Sequence, residues 1–184
     1  MTSIRRLTAG LLALALTVTM TAGPVGAGSA AEIDRDVDAA LVKLYADIPN
    51  ARQLGNQAKG VLVFPGIVKA GFLFGAQYGE GALRRKGAPA AYYNSVAASY
   101  GLQAGVQVFG YALFFMSDSA LRYLDNSGGF ELGAGPSIAI LDVGAARALT
   151  TTTMQNDIYA VFFDQRGLMA GLGLQGTKIS RIHP

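Results

Sequence analysis

The densest set of side chains that could act together is Arg84-Arg85-Lys86. Three adjacent bases attract an anionic surface at about 1 kcal/mol each. A total of about 3 kcal/mol is weaker than millimolar binding, so apolar contact must supply most of any affinity for a membrane. Lys69 is a further cation, expected near one end of a sheet. Gln77, Gln103 and Gln107 recur at alternating positions among glycines, where their amides could hydrogen-bond the polar end of a long apolar ligand. These seven residues are the candidate lipid-binding set.

The chain offers little for catalysis. Its 184 residues include no Cys and one His, at position 183. The lack of Cys excludes disulfides, thiol catalysis and zinc-thiolate sites, and a single His next to the end speaks against a His-based triad or a multi-His metal site. Gly135-Pro136-Ser137-Ile138-Ala139 is a loose echo of a nucleophile elbow, without the final Gly. Asp34, Asp36 and Asp38 alternate, but on a helix i and i+2 point apart and the glycine of a calcium loop is missing. Gly75–Gly81 is followed by no Lys-Ser/Thr, so it is no phosphate loop. No catalytic residue, metal ligand or cofactor is expected, and the chain reads as a non-enzyme.

The elements that must position the seven residues follow from periodicity. Residues 32–48 place Ile33, Val37, Leu41, Leu44 and Ile48 on one helical stripe, which Pro49 should end. Burying five such side chains contributes on the order of 8–15 kcal/mol gross. The segment holds five acids and two bases, so it should pack on the body of the domain instead of seeking an anionic membrane. From Lys59 onward the period is two. Val61–Phe64 reads as a strand closed by a turn at Pro65-Gly66. The runs 71–79, 99–108 and 167–175 each read as a strand with a bulky apolar side and a side mainly of Gly and Gln. Strands are expected also at 92–98, 112–116 and 158–163, the last two buried on both faces. Residues 164–167 read as a hairpin turn, 117–124 as a short helix, and 145–156 as strand or loop. The fold class is α+β: a curved, mainly antiparallel, barrel-like sheet with an N-terminal amphipathic helix and one short helical insertion. The glycine sides either let another layer approach closely or leave room for a ligand with Gln at its rim.

Residues 1–30 have another character. Arg5 and Arg6 precede a mostly apolar run, Leu7–Met20, and then a stretch of small residues. That order is a secretory signal, with cleavage expected after Ala30 or Ala31, Ala27 being the third candidate. Residues 31–184 form one domain. Without the leader the twelve acids remain and two of fifteen bases are lost, so the formal net charge falls from +3 to +1. No concentrated basic surface for nucleic acid is expected.

Five ordered blocks then resemble the SYLF, or Ysc-type, domain: Lys59-Gly-Val-Leu-Val-Phe-Pro65, Gly79-Glu-Gly-Ala-Leu83, Gly101-Leu-Gln-Ala-Gly-Val-Gln107, Phe130-Glu-Leu-Gly133 and Gly167-Leu-Met-Ala-Gly-Leu-Gly-Leu-Gln-Gly176. The likeness runs over about residues 35–182. It implies lipid binding, with phosphoinositides and actin as partners of fungal and animal members and an envelope setting for bacterial ones. Actin binding is not expected of a chain with an export leader. The expected function is phospholipid or membrane-surface binding in the bacterial envelope, periplasmic or secreted. The alternative is a structural or adhesive envelope protein that self-associates.

Overall fold

The computed structural model describes residues 28–71, 74–100, 105–126, 129–131, 135–148, 155–167 and 176–184. The first helix, α1 (Ala30–Asp47), starts at a capping box: Ser29 accepts from the Glu32 amide, and Glu32 reaches back to the Ser29 amide. Its buried stripe is Ile33, Val37, Ala40 and Leu44. Ile48 is also buried, and Leu41 packs at the margin. Pro49 ends α1 as expected but also begins α2 (Pro49–Gln57), which the periodicity did not predict. Proline suits a first helical position because its missing N–H would be unpaired there anyway.

Eight strands follow: β1 (Gly60–Gly71), β2 (Phe74–Arg85), β3 (Ala88–Tyr100), β4 (Gly105–Phe115), β5 (Gly129–Glu131), β6 (Ile138–Leu141), β7 (Ile158–Gly167) and β8 (Lys178–Ile182). Two further helices, α3 (Asp118–Asn126) and α4 (Val143–Ala148), complete the described elements. The sheet order is β5-β8-β3-β2-β1-β4-β7-β6, all antiparallel except the β6–β7 pair. Its edges are β5 and β6, so the curved sheet expected from the sequence is open and not a closed barrel. The expected insertion at 117–124 is α3, while α4 falls partly in the segment left as strand or loop.

Curvature is visible in one hydrogen bond. The Tyr111 hydroxyl on β4 donates to Ser95 Oγ on β3 at 2.7 Å, although β1 and β2 lie between those strands. The concave side holds one apolar cluster, including Leu62, Phe64, Tyr93, Tyr111, Phe115, Phe162 and Ile179, joined by α3. The convex side carries a second cluster, where α1, α2 and α4 cover Val61, Val63, Phe114, Tyr159 and Val161. Residues 112–115 and 158–163 are buried throughout, as expected of strands covered on both faces.

Two turn assignments are corrected. Pro65-Gly66 is not a turn but a bulge inside β1, where the register to both neighbours shifts. A bulge tolerates a residue that cannot donate to the ladder. Residues 164–167 are likewise no hairpin turn, since β7 continues to Gly167 past a register shift.

The glycine-rich runs are corrected too. Gly71 ends β1 and Phe74 begins β2, so the run 71–79 straddles a hairpin. Gly71 pairs with Gly75 and Lys69 with Gln77. Odd residues therefore share a face in both strands. The run 99–108 similarly contains the end of β3 and the start of β4. Gly167 ends β7, and 168–175 lie outside the described residues.

Candidate functional site

Strand directions place the β1–β2, β3–β4 and β7–β8 connections at one end of the sheet. Glutamine and valine rows cross the strands there, on opposite faces.

The inner row runs Ala97–Gln77–Lys69–Gln107–Gly167 through β3, β2, β1, β4 and β7. Three candidate residues thus meet: Lys69 is flanked by Gln77 and Gln107. The two glutamines are not at a rim, as expected, but buried on the concave side. Gln77 Nε2 donates to Thr177 Oγ1 at 3.2 Å. Gln107 is 1% exposed, and its Oε1 has no hydrogen-bond partner among the described residues. Lys69 is half-buried between them. Gln103 lies outside the described residues.

The glycines on that face serve close approach. A Cβ on Gly79 would stand 2.6 Å from the Gly66 carbonyl oxygen, and one on Gly81 would collide with the Val63 carbonyl oxygen. The hollow that is described lies on the other face: a groove of about 570 Å³ between α1 and the β1 bulge, lined in part by Ile33, Ala40, Val68, Tyr78 and Phe163.

Arg84-Arg85-Lys86 sits at the opposite end of β2 from Phe74, and it is not the exposed basic turn expected. Arg84 is 4% exposed. It donates to Asp34 Oδ1 at 2.6 Å and to Asp38 Oδ1 at 2.7 Å. Burial works to lower its pKa, and the bonds to Asp34 and Asp38 outweigh that, leaving it above the usual arginine value. The acids of α1 therefore serve this clamp: Asp34 and Asp38, four apart, share one face, while Asp36 pairs outward with Arg35. Arg85 pairs with Asp125 of α3. Lys86 alone of the three is exposed. Ser137 is structural: its Oγ donates to Asp157 Oδ2 and accepts from the Asp157 amide, both at 3.0 Å. No group of three metal-ligating side chains occurs among the described residues.

The outer row is what sequence reasoning missed. It runs Lys178–Val96–Tyr78–Val68–Val108–Arg166 across β8, β3, β2, β1, β4 and β7. The four central side chains are exposed apolar or aromatic ones, and both ends are exposed cations. Beyond it toward the connections lie exposed Ala98, Ala76, Ala70 and Val106, the last 59% exposed. Phe74, at the start of β2, is 77% exposed. No charged residue occurs between Lys69 and Glu80, between Lys86 and Asp118, or between Arg166 and Lys178. For Tyr78, Val106 and Val108 the signal was present as the bulky side of the alternating runs, but a period of two does not say which side meets water. Partial desolvation of the Tyr78 hydroxyl, with its hydrogen bond to Glu80, pushes that phenol up to about 12, so it stays neutral across the physiological range.

The described sheet is thus an open α+β arrangement that carries an apolar, cation-flanked end. Residues 96–183, just under half of the chain, match the family model described as Ysc84, Las17-binding protein actin regulator. The SYLF resemblance is borne out over that stretch, which contains the last three of the five blocks. No curated protein matches the chain.

Proposed function

We propose that the chain is an exported, non-enzymatic phospholipid-binding domain of the bacterial cell envelope, and that it meets the bilayer with the outer row. The observation that carries this reading is the exposed apolar belt Val96–Tyr78–Val68–Val108, ended by Lys178 and Arg166. A solvated sheet face normally alternates polar residues outward. Here the outward residues are apolar and the inward ones polar, which suits a surrounding of acyl chains. Each large side chain moved fully out of water contributes about 1.5–3 kcal/mol. Val68, Phe74 and Val106 together therefore exceed what the two flanking cations add at about 1 kcal/mol each. No helix among the described residues is long and apolar enough to cross a membrane.

Flotation of the chain with phosphatidylglycerol–phosphatidylethanolamine vesicles tests this. The wild type should float. Neutralising both cations (R166Q, K178Q) should weaken binding about 25-fold, the equivalent of about 2 kcal/mol. A chain that stays at the bottom of the gradient and elutes as a stable oligomer would support self-association through the same belt instead.

A further inference from the structure

The residues around Gly28 distinguish the three processing sites that the small-residue stretch leaves open. The Gly28 amide donates to Glu80 Oε2 at 2.9 Å, and Glu80 Oε1 accepts from the Tyr78 hydroxyl at 2.6 Å. The fit is close: a Cβ on residue 28 would lie 3.3 Å from Glu80 Oε2 and 3.4 Å from Ile33 Cγ1. Ser29 then caps α1, and Glu32 accepts from both the Ser29 amide and its hydroxyl. The Gly28 bond thus ties the start of the helix to the sheet, and the Ser29 bonds cap it.

We infer that the leader is removed between Ala27 and Gly28, an inference that rests on the export reading above. Hydrolysis adds one water across that amide: the carbonyl carbon keeps the hydroxyl oxygen as the Ala27 carboxylate, and Gly28 leaves as an amine that is protonated at neutral pH. The new ammonium keeps the donor to Glu80 and adds a positive charge to it. It also enters a groove lined by the carboxylates Glu32, Asp36, Glu80 and Asp164, of which Asp36 is paired with Arg35 and Asp164 with Lys43 and Arg166. Cleavage after Ala30 or Ala31 would instead delete the capping serine and the Glu80 contact, leaving the first helical amides without a side-chain partner. Val25 and Ala27, at the third and first positions before the Gly28 bond, are small enough for a leader peptidase.

The test is the intact mass and N-terminal sequence of the chain expressed with its leader in an exporting bacterium. The expected start is Gly-Ser-Ala-Ala-Glu. A start at Ala31 or Glu32 overturns this inference and leaves export standing. An unprocessed chain in the cytosol overturns export itself. Ala27→Asp should block processing, whereas Ala30→Asp and Ala31→Asp should not. Normal processing of Ala27→Asp, with loss in either of the others, would contradict the assignment.

Discussion

The Tyr111 hydroxyl and Ser95 Oγ, 2.7 Å apart, tie β4 to β3 across the concave side of the sheet. Full burial pushes the Tyr111 phenol well above its ordinary pKa, with the Ser95 bond pulling slightly the other way. Ser95→Ala strands a buried hydroxyl. It should cost about 1–3 kcal/mol in urea unfolding, and Tyr111→Phe in the same background should recover part of that loss. A Ser95→Ala chain as stable as wild type would show that the bond contributes nothing to holding the curl.

Arg84 and its two carboxylates should respond asymmetrically. Asp34→Ala with Asp38→Ala leaves a buried guanidinium unpaired and should cost about 3–5 kcal/mol. Arg84→Met leaves acids that water reaches, Asp38 especially, and should cost about 1–2 kcal/mol. Equal losses in denaturant melts would refute the clamp.

Much of the fold is legible in the sequence, because α1 buries most of its marked stripe and the apolar runs 112–115 of β4 and 158–163 of β7 are buried throughout. The candidate site was less so. Period two reports that faces alternate, but not which face meets water. Nothing in the alternation marks Val68, Tyr78, Val96 and Val108 as exposed; they are so because helices α1, α2 and α4 cover the convex face only beyond the β1 bulge. Arg84-Arg85-Lys86 looked like one patch because adjacency in sequence says nothing of partners 46 and 40 residues away. Pairing across β2, β1 and β4 brought Lys69, Gln77 and Gln107 together, and no local pattern encodes that register.

Acid should destabilise the domain through two aspartates. Hydrogen bonds from Ser117 and Ser137 hold Asp157 below the usual carboxylate range, and the bond from Lys43, with help from Arg166, does the same for Asp164. Folded pKa values below unfolded ones mean that this stabilisation is fully present above about pH 4 and is lost as pH falls through the folded values. Thermal melts from pH 7 to 2 should show Tm falling below about pH 4, with a smaller fall in a Ser117→Ala/Ser137→Ala chain. An unchanged slope in that variant would remove Asp157 from the account.

The belt can be read directly because the chain has no Trp. A single reporter at Val106→Trp, compared with one at Lys86→Trp on the opposite end of the sheet, should blue-shift on adding anionic vesicles and be quenched by brominated acyl chains. The Lys86 reporter should do neither. A shift at Lys86 with none at Val106, or no response from either while both chains remain folded, would contradict membrane docking through the outer row.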